Sequence, residues 1–269
     1  MKKILHRPLI VIIVFSVLLT ALIFYPYSFL ISTSLPNALD PLFYTWNLLF
    51  NIHTFGFGEV TRNAPIFWPT HNTIAFSDTL WAYSIPALVI YRLTNNPVFM
   101  QNILVLLTYP LAAVSMFFLM SYLMPKKNTG IIIASLMYAF CYPRLAQVGH
   151  LPAVSSHLLP LILLFTLQFI DAGKPISLLL AGGTALFTIS ASIYYLIFLL
   201  PAIAVIGCVQ LCVWIRHKSW DVLRSRVTTA AIVAIPLAVA AYFLLQPYLI
   251  LRAEHPEYKR TLTDISTLR

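Results

Sequence analysis

Asp40, Asp78, Arg144 and His150 are the side chains whose types and positions suit chemistry. Asp40 lies a few residues beyond the first long apolar run. A carboxylate beside a low-dielectric surface can take up a proton and so serve as a general base. Asp40-Pro41 is also an ideal helix start, with Asp as N-cap and Pro as the first helical residue. Base and cap are compatible roles. Ser77-Asp78 precedes Thr79-Leu80-Trp81 in the same manner. Beyond capping, Asp78 suits a second acid, a ligand of a divalent metal or a contact to an acceptor. Glu59, in a glycine-rich turn, is a third acid.

Basic side chains supply the complementary chemistry. Arg144, His150 and His157 border the segment 143–153, and His71 lies in a proline-rich loop. Arg and His near a membrane interface can hold a lipid phosphate through charge-assisted hydrogen bonds. Interface snorkelling for Arg144, and capping or packing for the histidines, are the structural alternatives. Arg252 and Arg260 belong to a charged tail, where solvation suffices to explain them. No cofactor is required by these residues, and a divalent metal is allowed. Cys141, Cys208 and Cys212 sit inside apolar runs without zinc-ligand spacing.

These groups must be positioned by elements that the bilayer dictates. The 269 residues are 60% hydrophobic and only 9% charged, with a mean hydropathy of +0.85. Soluble domains carry about 25% charged residues, so a bilayer is the expected solvent. The expectation is an all-α, polytopic helix bundle with about seven spans over 8–31, 100–123, 129–142, 154–171, 176–191, 194–215 and 227–251. The first run, at 1.5 Å per residue, extends roughly 36 Å. It is too long for a signal-peptide apolar region and lacks a small-residue cleavage site, so it reads as an uncleaved anchor. Residues 176–215 carry no charge, and the break is expected near Ser190-Ala191-Ser192.

The net charge of +9 would suggest nucleic acid in a soluble protein. Here it follows from the bias of cytoplasmic loops towards Lys and Arg. With the amino terminus inside, ten of the seventeen Lys and Arg residues fall inside, and among short outer loops only Arg144 breaks the pattern. Segment 32–99 is then a long outer loop. Within it, Asp40, Tyr44, Asn47 and Asn51 form a polar stripe at helical spacing, opposite Leu42, Trp46 and Leu49. Such a helix is expected in the interface plane, with Tyr44 and Asn47 available to bind substrate. Thr79–Leu93 is apolar but short, and reads as interfacial or re-entrant. There is no P-loop, no His-Glu-x-x-His, and Gly56-Phe57-Gly58 lacks a third glycine. Apart from Asp171 at the very end of 154–171, no span holds an acidic residue, which argues against an ion-coupled transporter.

Several short motifs stand out together. Asp40 opens Pro-Leu-Phe-Tyr-Thr-Trp; Ile66-Phe67-Trp68-Pro69 and Phe76-Ser77-Asp78 follow; Gly149-His150 precedes a span, and Ser192-Ile193-Tyr194-Tyr195 forms a hairpin. The chain resembles the amino-terminal half of bacterial membrane glycosyltransferases of the GT-C superfamily, including relatives of the YfhO-type membrane proteins. That resemblance implies transfer of a sugar from a polyprenyl-phosphate carrier to a glycan, lipid or protein acceptor on the non-cytoplasmic face of the inner membrane. It implies that Asp40 is the essential acid, Asp78 a second one, and Arg144 and His150 the groups that hold the carrier phosphate. Relatives usually have more spans, so the tail 252–269 is expected to lead onward, as in a fragment or a truncated reading frame. A carrier-lipid flippase, a transporter or an assembly subunit is the alternative.

Overall fold

A computed structural model describes residues 2–56, 63–67, 69–125 and 127–258. Glu59, Trp68, Arg260 and the tail from 259 lie outside the described residues. The described chain is all-helical, without a strand. Its helices are α1 (Lys2–Ile23), α2 (Asp40–Gly56), α3 (Ser84–Thr94), α4 (Pro97–Leu123), α5 (Asn128–Ala139) and α6 (Tyr142–Leu145). They continue as α7 (Leu151–Val154), α8 (Leu159–Ala172), α9 (Pro175–Ala191), α10 (Tyr194–Arg216) and α11 (Trp220–Glu254).

Four helical segments are long and apolar enough to cross a membrane: Pro97–Leu123, Leu151–Ala172, Tyr194–Arg216 and Trp220–Glu254. These mark the chain as a membrane protein. Arg7–Ile23 and Pro175–Ala191 are shorter apolar helices. α5 has only 12 residues, or roughly 18 Å of rise against a hydrocarbon core of about 30 Å. α10 and α11 expose apolar side chains along most of their length, Phe198, Val205, Ile232 and Phe243 among them. In water so large an apolar surface would drive aggregation, whereas lipid is its natural solvent.

Two of the boundaries that differ from the sequence expectation lie beside the segments leading to Asp40 and Asp78. The first apolar run was expected helical to residue 31, but α1 stops at Ile23 and the chain turns through Pro26, which cannot continue a helix. The segment 79–93 was expected to start as a helix behind an Asp78 cap. It starts instead as a 3-10 turn at Trp81–Tyr83, and α3 begins only at Ser84. Leu80, wholly buried with φ of +56°, is the cause of that delay: a left-handed residue cannot sit inside a right-handed helix. The break at 190–192 is where it was expected, with Ser192 extended between α9 and α10.

α4 is the central post, packed against α1, α5 and α8. Its amino-terminal half carries Met100, Leu104, Val105 and Tyr109 into one apolar core with Tyr44 and Leu48 of α2, Leu80, Tyr83, Leu151 and Val154. A second core joins Ile12, Ala113, Phe117 and Ile131 of α1, α4 and α5. Asn102, fully buried on α4, accepts from the Tyr27 hydroxyl at 2.9 Å and donates to the carbonyls of Ile31 and Ser34, each at 2.8 Å. The chain leading to Asp40 is thereby tied to α4. Bonds from α2 to His150, from 78–79 to α9–α11 and from Tyr83 to Ser155 gather the connecting segments at one end of the bundle. At the other end, Arg226 of α11 donates to the carbonyls of Ile170 and Asp171 at the end of α8.

Candidate functional site

α2 lays its polar stripe against the bundle because its opposite face is aromatic and apolar. Tyr44, Asn47 and Asn51 are buried, each 4% exposed or less. Asp40, in the first turn of α2, keeps its side chain 60% exposed. A carboxylate at a helix amino terminus is favoured by the helix dipole. No capping hydrogen bond from the Asp40 carboxylate is found among the described residues; the carbonyl of Leu39 starts the helix by accepting from Leu42 and Phe43. The carboxylate faces His150 instead. Asp40 Oδ2 lies 3.3 Å from His150 Nδ1, an ion-pair distance. The other ring nitrogen, Nε2, lies 2.6 Å from the Tyr44 hydroxyl. Burial, then the charges of Asp40 and Asp78, raise the Tyr44 phenol above its ordinary pKa. Both ring nitrogens of His150 are thus engaged, Nδ1 by Asp40 and Nε2 by Tyr44.

The loop that carries His150 is seated by a glycine. A Cβ at Gly149 would stand 2.7 Å from Asn37 Nδ2 and 3.2 Å from Pro41 Cγ. Only a residue without a side chain lets the backbone approach the start of α2 this closely.

Arg144 anchors the same loop from beneath. It is 4% exposed. Its Nε donates to the Ala139 carbonyl at 3.1 Å, and Nη1 donates to the Val154 carbonyl at 2.8 Å and to Ser156 Oγ. Nη2 donates to the carbonyl and hydroxyl of Thr108 at 3.1 and 3.2 Å. The Arg144 carbonyl accepts from Tyr109, whose ring lies 5.1 Å below the guanidinium. All five N–H groups are thus spent inside the bundle. The expectation that Arg144 holds a phosphate at the surface is at odds with this geometry; the side chain clasps the two ends of the loop 145–153.

Asp78 takes a different position from Asp40. It is 6% exposed, in the strap between Phe76 and Trp81. Its Oδ1 accepts from Ile193 N at 3.1 Å, and its carboxylate also bonds the Ser192 side chain. Burial raises the Asp78 carboxyl above its ordinary value, while Ser192, Ile193 and His150 pull it back in part. Asn47 donates to the Asp78 carbonyl at 3.0 Å and Asn51 to the Thr79 carbonyl at 2.7 Å. The Tyr248 hydroxyl of α11 receives the Thr79 N–H and donates to the Ser77 carbonyl, both at 3.2 Å. So many bonds hold Leu80 in its left-handed conformation.

Asp40, Tyr44, Asn47, Asp78 and His150 thus belong to one cluster, and Arg144 lies behind it. His71 is exposed on the loop before Thr73, which is pinned by Asn72 N to Asn63 and by the Thr73 hydroxyl to the Ala64 carbonyl. It makes no bond to the cluster among the described residues. His157 is buried beneath, with its carbonyl accepting from Ser115. No three His, Cys, Asp or Glu side chains are grouped closely enough for a metal among the described residues. A cavity of about 620 Å³ lies on the far face of α2, beside α3, and not at the cluster.

No family model, curated protein or solved structure matches this chain. Function therefore rests on the geometry. Sequence reasoning missed three contributors: Ser192, Tyr248 and the Ile193 N–H. Ser192 left a trace in the break between α9 and α10. Tyr248 left only a polar atom near the end of an apolar run.

Proposed function

We propose that this chain is a membrane glycosyltransferase that uses a polyprenyl-phosphate sugar, with Asp40 as the base. The observation that carries this reading is the exposed Asp40 carboxylate 3.3 Å from His150, itself fixed by Tyr44. Both ring nitrogens of His150 are engaged, by Asp40 and Tyr44, and the acceptor left for a proton is the exposed carboxylate. The hydroxyl of the acceptor attacks the anomeric carbon as its proton passes to Asp40. The new glycosidic bond forms, and the bond to the phosphate breaks with its electron pair leaving on oxygen. His150 positions the carboxylate, and with both ring nitrogens engaged it is not assigned to the phosphate. Asp78 shapes the floor of the site. Arg144 is not assigned to the phosphate.

The reading includes seven crossings, with the amino terminus in the cytoplasm of a bacterium and the cluster on the opposite face of the inner membrane. The basic residues of α10 and α11 at the other end of the bundle support that orientation. Asp40→Asn, reconstituted with wild-type monodispersity, is expected to lose about 10²–10⁴-fold in sugar transfer in vesicles. Wild-type turnover by that variant would remove Asp40 from the chemistry.

The alternative, a carrier-lipid flippase or transporter, finds its support in Asp78, a buried carboxyl bonded to Ser192 and Ile193 between α9 and α10. It expects lipid movement across vesicles without sugar transfer.

A further inference from the structure

The groove between α2 and α3 lies apart from the acid–base cluster, on the opposite face of α2. It is lined by Trp46, Leu49, Phe50, His53, Tyr91 and Arg92, among others. The rings of Trp46 and Phe50 are stacked with centroids 5.9 Å apart. Its volume, about 620 Å³, lies within the range of ligand cavities, about 300–1,000 Å³. Three observations identify an occupant. First, α3 exposes Ile85, Val89 and Leu93 at 69%, 52% and 81%. Arg92 follows Ile85 by seven residues and Val89 by three, so it shares their face. The groove thus opens onto a surface that hydrocarbon covers. Second, His53 and Arg92 are the basic residues of the last turns of α2 and α3. Arg92 lies just before Asn96, the cap of α4, at the end of that span. This is headgroup depth, where Trp and Tyr also concentrate. Third, the basic rim beside an aromatic wall matches a molecule with an anionic head and an apolar tail.

We propose that this groove binds one phospholipid of the surrounding bilayer, its phosphate at Arg92 and His53 and an acyl chain along Trp46, Leu49 and Phe50. The lipid braces α2 from behind, on the face opposite Asp40 and Tyr44. The proposal does not depend on the chemistry assigned to Asp40.

The test is native mass spectrometry of the full chain, stripped of lipid in mild detergent and titrated with phosphatidylglycerol. Diacylglycerol of the same chain length and a polyprenyl phosphate serve as comparison ligands. The wild type is expected to take up one phosphatidylglycerol in preference to diacylglycerol. Arg92→Gln should weaken that uptake about tenfold, the worth of one charged hydrogen bond, and Arg92→Lys should restore most of it. Leu49→Trp, which fills the groove and leaves the rim intact, should weaken it similarly. Asp40→Asn should bind as the wild type does. Unchanged uptake by Arg92→Gln or by Leu49→Trp overturns the proposal. So does equal binding of diacylglycerol, or a polyprenyl phosphate that binds where phosphatidylglycerol does not. Loss of uptake in Asp40→Asn would move the lipid to the acid–base cluster and overturn it likewise. Should Arg92→Gln fail to fold, by circular dichroism and gel filtration, Leu49→Trp decides.

Discussion

The Tyr44 hydroxyl lies 2.6 Å from His150 Nε2, across 106 positions of sequence. This bond orients the imidazole with Nδ1 towards Asp40, whose carboxylate is the more exposed member of that pair. It also joins α2 to the loop before α7, two segments that no local pattern links.

The approach of that loop to α2 depends on Gly149. Gly149→Ala puts a methyl group against Asn37 and the Pro41 ring. Asn37 cannot simply retreat, because its side-chain oxygen accepts from Leu39 N at 3.0 Å. Overpacking of this kind costs about 1–3 kcal/mol. The expected outcome is a displaced loop. A disulfide formed between Asp40→Cys and His150→Cys reports it: the yield should fall when Gly149→Ala is added, while the elution profile stays the same. An unchanged yield would show that the contact is not what seats His150.

Arg144 separates a structural cation from a ligand for phosphate. Arg144→Met leaves the buried carbonyls of Ala139, Val154 and Thr108 short of donors. Each orphaned group costs about 1–3 kcal/mol, so a clear fall in thermal midpoint in detergent is expected. Arg144→Lys should recover little, since three donors on a compact head cannot reproduce a planar fork of five. A phosphate-binding role predicts the reverse: near-normal stability, with an affinity for phosphate that follows the charge.

Asp78 should leave a signature in the pH dependence of stability. Its folded carboxyl is held above the ordinary value of 3.8, chiefly by burial. Between that value and the folded one, the folded chain binds more protons than the unfolded chain. Stability from this group is therefore fully present below 3.8 and is lost as pH rises through the folded value. Asp78→Asn keeps an oxygen to accept from Ile193 N, so it should fold and should flatten that part of the profile. A thermal midpoint that falls equally with pH in both proteins would contradict the assignment.

Much of this architecture is legible in the amino-acid sequence. Composition required an apolar solvent, and the charge-free run 176–215 required a helix pair with a break, which Ser192 makes. The stripe Asp40, Tyr44, Asn47 and Asn51 followed from helical spacing, since every fourth side chain returns to one face. Other features were not legible. Asp40 and Asp78 both precede a predicted helix, yet among the described residues neither carboxylate bonds the first turn of that helix. The difference between them, one exposed and one buried, comes from Leu80. Its left-handed backbone folds the strap inward, where Ser192 and Ile193 meet the Asp78 carboxylate.

The sequence by itself determined the solvent, the helices and which face of α2 is polar, because hydropathy and periodicity act within a few turns of chain. Only the tertiary structure decided which polar atom meets which. His150 finds Tyr44, Asp78 finds Ile193, and Arg144 turns inward to Thr108 and Val154. A buried donor or acceptor must be paired wherever the packed bundle offers a partner, and those partners stand on helices far apart in the chain.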